Sequence, residues 1–165
     1  MLERTGIPTD DDLEKVIPDK ERLAKGPVVV IECFQKIPCD PCAISCKLGA
    51  IKPFNDINDL PQVDFEKCTG CGVCISSCPG LAIFVMEMNY SDEKSLIKLP
   101  HEMLPLPEKG DDVYALDRAG SMLGKAKVIK VLKIKNKTHV ISIEVPKSMA
   151  MKVRSIKVED KNNER

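Results

Sequence analysis

Apolar and polar positions alternate differently in the two halves of the chain. Val28 to Ile31 is an unbroken apolar run that ends at Glu32-Cys33, and Leu81-Ala82-Ile83-Phe84-Val85-Met86 is a second. Runs this short, bounded by turn residues and rich in β-branched side chains, predict buried strands. Beyond residue 98 the texture becomes one of short alternating stretches, at Asp112–Leu116, Lys125–Lys135, Thr138–Val145 and Val153–Val158. Period-two alternation predicts half-buried strands, and four or five of them in so short a span predict a small antiparallel barrel. Asn136-Lys137 is an imperfect hairpin turn, lacking the usual glycine. Pro100, Pro105 and Pro107 mark a stiff crossing into this part.

The first 27 residues are polar. Thr9 can cap a turn that begins at Asp10, where acidic side chains suit the positive end of a helix. Pro18 interrupts, and Asp19 to Lys25 predicts a second turn ended by Gly26-Pro27. The reading is an α+β chain in three parts: a docking arm over residues 1–27, a cysteine-bearing domain over 28–98, and a small β-barrel-like docking domain over 99–165.

Charge sharpens that division. The formal net charge is zero, yet residues 1–90 carry a net −5 and residues 91–165 a net +5. All eight cysteines lie on the acidic side. No 18-residue apolar run spans a membrane, and the N-terminus lacks the basic start and apolar stretch of a signal peptide. The expectation is a cytoplasmic protein whose thiols stay reduced.

The cysteines form two copies of one pattern. Residues 39–51 align without gaps on residues 71–83, matching at six of thirteen positions at a constant offset of 32. The second copy, Cys68-x2-Cys71-x2-Cys74-x3-Cys78-Pro79, has the spacing of a bacterial [4Fe–4S] site. Three thiolates from a tight loop cap three corners of a cubane, and the fourth reaches the other cluster. Zinc instead favours two separated Cys-x2-Cys pairs. In the first copy Lys36 stands where Cys68 has its counterpart, and Cys33 lies three residues earlier. Cys33 can supply the missing corner. The alternative is a buried strand thiol, which leaves Cys39, Cys42 and Cys46 and a site suited to [3Fe–4S]. Crossing the fourth ligands assigns Cys46, Cys68, Cys71 and Cys74 to one cluster and Cys33, Cys39, Cys42 and Cys78 to the other.

Residues 28–90 thus resemble a two-cluster bacterial-type ferredoxin. More narrowly, the stretch from Val30 to Cys42 resembles a small iron–sulfur subunit found with FAD-dependent, dye-linked proline or hydroxyproline dehydrogenases. The stretches Leu104–Asp111 and Glu144–Lys147 are similar to the same subunit. The resemblance implies a non-catalytic electron-transfer subunit with two [4Fe–4S] clusters. Flavoprotein partners would carry FAD and the amino-acid substrate. A free ferredoxin with an appended β domain is the alternative.

The remaining residues add little chemistry. Lys125, Lys127, Lys130, Lys133, Lys135 and Lys137 form a ridge with no acid between them, read as a solvated strand face or a dock for an acidic subunit. Tyr114 is the sole aromatic nearby, so nucleic acid is not expected as a partner. His101 and His139 are expected on the surface or in loops. Asp117 and Ser121 form no nucleophilic triad, and no glycine pattern cradles phosphate.

Overall fold

The computed structural model describes residues 2–159. Met1 of the expected arm and residues 160–165 of the expected C-terminal part lie outside the described residues.

Three short helices open the chain: α1 (Leu2–Thr5), α2 (Asp10–Glu14) and α3 (Lys20–Lys25). Thr9 and Asp12 form a reciprocal capping box on α2, and the Asp19 carboxylate accepts from the Arg22 amide at the start of α3. Both starts follow from the side chain competing for the free amides of a first turn.

Seven antiparallel strands then build one sheet, in the order β1-β2-β3-β6-β5-β4-β7. The strands are β1 (Val28–Ile31), β2 (Ile83–Glu87), β3 (Lys94–His101), β4 (Asp112–Leu116), β5 (Met122–Leu132), β6 (His139–Pro146) and β7 (Ser155–Val158). The ligand helices α4 (Pro41–Ser45) and α5 (Val73–Ser77) pack on each other, and α6 (Lys147–Ala150) precedes β7. The result is an α+β chain with a mostly antiparallel sheet.

β3 is the element the sequence pattern conceals. Pro100 argues for a crossing, but β3 runs through it and pairs with β6 from Lys94 to His101. The ladder with β2 covers only Leu96 to Lys98. Pro100 therefore lies past the end of one ladder, where a missing backbone donor is tolerated. The expected boundary between residues 98 and 99 falls inside this strand, and the sheet continues across it.

Two apolar clusters sit on the sheet. One joins Val30, Phe84 and Met86 to residues of every strand from β3 to β7, including Ile97, Val113, Val128, Ile141 and Ile156. The other gathers Val29, Ile31, Ile51, Ile75, Ile83 and Val85 around Cys42 and Cys74. β1 and β2 serve both, because alternate side chains of each strand point to opposite faces. The histidines depart from expectation: His101 is 4% exposed and His139 9%. Both occupy β-strand positions facing inward, and the His139 ring accepts the Ile134 amide through Nδ1 at 3.0 Å.

Candidate iron–sulfur site

Strand β1 delivers Cys33, and the loop after it carries Cys39 and Cys42 into α4. Cys46 ends that helix. The second copy repeats the arrangement with Cys68, Cys71, Cys74 on α5, and Cys78 at its end. Ile51 bridges Val63 between the copies, and Ile31 pairs with Ile83, so the two loops face each other from related positions.

The structure places the cysteines of the two copies near one another. Cys78 lies near Cys33, Cys39 and Cys42, and Cys46, Cys68 and Cys71 lie near Cys74. Cys33 stands near Cys39 and Cys78. Among the described residues, no three or more His, Cys, Asp or Glu converge closely enough to hold a single metal ion. Cys46, Cys68, Cys71 and Cys74 instead stand around a cavity of about 230 Å³, closed by Val29, Ile51 and Val85. A space lined by thiols and aliphatic side chains fits an iron–sulfur cluster, which these four cysteines would hold.

Burial holds several of these thiols in their neutral form. Burial pushes the Cys74 thiol up to about 12 and Cys42 up to about 11, with the neighbouring cysteines adding to the rise. Cys33 and Cys39 are raised for the same reasons. Without a compensating cation these groups stay protonated at neutral pH. Backbone amides point at the sulfurs: Val29 and Gly70 donate to Cys68 Sγ, and Ile51 donates to Cys46 Sγ, each at 3.4 Å. Such donors stabilise a thiolate and tune a cluster's potential.

Gly70 shows how tightly this loop is held. Its φ is +64°, and a Cβ built there would lie 2.5 Å from Pro27 Cβ and 2.8 Å from the Pro27 carbonyl carbon. Gly49 shares the same φ but has open space around it. Gly70→Ala is expected to cost at least 1–3 kcal/mol more than Gly49→Ala, roughly the penalty of overpacking. Paired urea titrations of the two variants, with iron counted per chain, measure the difference.

Several residues around the site carry no signal in the cysteine pattern. Arg22, only 7% exposed, donates from Nε to the Phe65 carbonyl and from a terminal nitrogen to that of Cys68 at 2.6 Å. Lys98 donates to the Gly70 carbonyl at 2.7 Å. Glu32, next to Cys33, accepts from both Arg118 and Arg154. Burial alone would raise the Glu32 carboxyl, but the two guanidinium groups outweigh it and hold the group below its ordinary range.

Residues 61–84 match the family described as 4Fe-4S binding domain. A 47-residue stretch is 43% identical to a subunit of the ion-translocating oxidoreductase complex of Methanosarcina acetivorans, covering 28% of this chain and 17% of that one. The ferredoxin-type protein NapF of Haemophilus influenzae is 28% identical over 39% of each chain. Pyruvate synthase subunit PorD of Methanocaldococcus jannaschii is 38% identical over 28% of this chain and 52% of its own. The matches thus cover from under a fifth to about half of these relatives' lengths. No solved structure gives a significant match, and no helix among the described residues is long and apolar enough to cross a membrane. The chain carries a ferredoxin-type 4Fe–4S binding domain, with distant similarity to a ferredoxin-type protein, a subunit of an ion-translocating oxidoreductase complex and a pyruvate synthase subunit.

Proposed function

We propose that this chain is the electron-transfer subunit of a multi-subunit, FAD-dependent amino-acid dehydrogenase of the proline or hydroxyproline type. The reading is carried by the repeated cysteine spacing and by the cavity that Cys46, Cys68, Cys71 and Cys74 line. Cys46, Cys68, Cys71 and Cys74 hold one [4Fe–4S] cluster, and Cys33, Cys39, Cys42 and Cys78 hold the other. Bound clusters supply one-electron carriers; the chain's own residues fix their positions, exclude water and set the surrounding charge. FAD and substrate belong to partner flavoproteins, and the polypeptide contributes no catalytic residue of its own.

Support for a subunit comes from the relatives, two of which are named as subunits, one of an ion-translocating oxidoreductase complex and one of pyruvate synthase. The amino-acid substrate rests on the resemblance of Val30–Cys42 and of the later proline-containing stretches. Anaerobic purification from the native host is the test. A flavin-containing partner co-purifying with about eight irons per chain is expected from two cubanes. A monomer that exchanges electrons reversibly with no flavoprotein attached would replace this reading with a free ferredoxin.

Cys33 is the ligand with the irregular spacing. Cys33→Ser is expected to lose one of two [4Fe–4S] EPR signals, or to convert it to the [3Fe–4S] type, while the other cluster remains. Two unaltered [4Fe–4S] signals in that variant would remove Cys33 from the ligand set.

A further inference from the structure

The two ends of the cysteine-bearing region differ in charge. Around Cys39 the exposed apolar side chains Ile37 and Ile57 lie in loops carrying Asp40, Asp56 and Asp59 against one lysine, Lys36. Asp59 ties its own loop together through the Asn55 and Asp56 amides.

The end holding Cys71 is the reverse. Cys71 is itself exposed, and the cavity it shares with Cys46, Cys68 and Cys74 opens between Leu48 and Val73, which are 52% and 53% exposed. Lys47 lies beside Leu48 on the same rim, and Lys98 reaches the Gly70 carbonyl from below. The tip of the β5–β6 hairpin completes the surround. Asn136 donates to the Ser76 carbonyl at 2.7 Å, which seats the turn of residues 133–138 against the ligand helix α5. Lys133, Lys135 and Lys137 are all exposed on that turn. Lys125 and Lys127 of the same ridge are paired with Glu159 and Asp112. No ion pair involves Lys133, Lys135 or Lys137 among the described residues.

We infer that this face, with Leu48 and Val73 at its centre and Lys47, Lys133, Lys135 and Lys137 at its rim, docks an acidic redox protein that exchanges electrons with the cluster held by Cys46, Cys68, Cys71 and Cys74. An apolar centre inside a charged rim is the layout of a protein interface. Rim charges act on the rate of encounter more than on the lifetime of the complex. Unpaired lysines at the exposed edge of a redox site therefore select a carboxylate-rich partner, and a small patch suits brief contact. The inference rests on the electron-transfer reading above and adds the place and charge of one partner.

The test uses the full chain with both clusters, reduced and mixed by stopped flow with an acidic flavodoxin and, separately, a basic cytochrome c. The parent is expected to react faster with flavodoxin, at a rate that falls as salt is raised. Lys133→Glu/Lys135→Glu/Lys137→Glu is expected to slow the flavodoxin reaction by roughly tenfold or more at low salt. Its iron content and both reduction potentials should stay near the parent's. Lys109→Glu/Lys152→Glu/Lys157→Glu changes the net charge equally on and beside β4 and β7, and should slow the reaction by less than about twofold. Equal slowing by both triples, or a parent that prefers cytochrome c, would overturn the docking surface alone. Failure to exchange electrons with either protein, with clusters intact, would overturn the electron-transfer reading and the surface with it. Saturable binding of single-stranded DNA that the first triple abolishes, without change in electron-transfer rate, would reassign the lysines to nucleic acid.

Discussion

Arg154→Ala will destabilise the folded chain by about 3–5 kcal/mol, the usual cost of breaking a buried ion pair from one side. A domain of this size is stable by only about 5–15 kcal/mol, so the loss is a large fraction of the whole. The reason lies in where Arg154 sits. It is 7% exposed, and its Nε donates to Glu32 Oε1 at 2.8 Å. Arg118 grips the same carboxylate from Nε and a terminal nitrogen. Glu32 thus joins the residue before Cys33 to the turn after β4 and to the segment that leads into β7. One terminal nitrogen of Arg154 has no hydrogen-bond partner, but the guanidinium lies 4.9 Å from the centre of the Phe84 ring, whose face offers partial compensation.

Removing Arg154 leaves a buried carboxylate held by Arg118 alone. Removing Glu32 is expected to be as damaging, because it leaves two buried guanidinium groups facing each other. Replacing all three by apolar residues, as in Glu32→Leu/Arg118→Met/Arg154→Leu, should recover much of the loss, since desolvation of the ions disappears with them. Urea midpoints of the three variants, at unchanged slope, test the ordering. A single variant within about 1 kcal/mol of the parent would show that the triad contributes no more than a surface pair.

The same triad gives a pH dependence. Glu32 is lowered in the fold relative to its ordinary value of 4.5. A depressed carboxyl adds stability that is complete above the unfolded value and is lost as pH falls through the folded one. The parent should therefore weaken below about pH 4.5, and Glu32→Gln should flatten that limb. Arg154 is brought down to about 10 by burial, which leaves it charged throughout this range.

What can be read from the chain, and what cannot, divides along sequence distance. The capping residues Thr9 and Asp19, the strands around Val28 and Ile83, and the repeat of the cysteine pattern all rest on regular spacing. The caps and strands depend on spacing within a dozen residues and the cysteine copies on a repeat at an offset of 32, so the sequence displays each. β3 is hidden because Pro100 is a local signal against a strand, while its strand neighbours Ile141 and Val145 lie some forty residues on. Glu32, Arg118 and Arg154 are separated by 86 and 122 positions from carboxylate to guanidinium, and no period links them. One signal is present: arginine occurs at only five positions, 4, 22, 118, 154 and 165, against twenty lysines. Choosing Arg where the chain otherwise uses Lys marks positions that need a planar, multiply donating head. Three of those five hold buried or half-buried carbonyls and carboxylates.

Arg22 is the third of them, and its loss should act on the cluster as well as on the fold. The N-terminal arm reads as docking surface in the sequence, yet α3 places this side chain under the ligand loop. Its guanidinium donates to four carbonyls: Phe65, Cys68, Gly26 and Pro27. Lys25 adds only an exposed ion pair with Glu66, which contributes little. In Arg22→Ala, four carbonyls lose a charged donor, and each costs about 1–3 kcal/mol where water cannot replace it. With part of the loop open to solvent, a net loss on the order of 3 kcal/mol is expected. Arg22→Lys separates two roles. A lysine keeps the positive charge but cannot fork across four acceptors, so most of the stability stays lost. The charge beside Cys68 favours the more negative, reduced form of a cluster held there. The reduction potential should fall in Arg22→Ala and be largely restored in Arg22→Lys, although both are less stable than the parent. EPR-monitored potentiometry at neutral pH reads the first effect and urea unfolding the second. A potential that tracks stability, falling equally in both variants, would confine Arg22 to holding the loop in place.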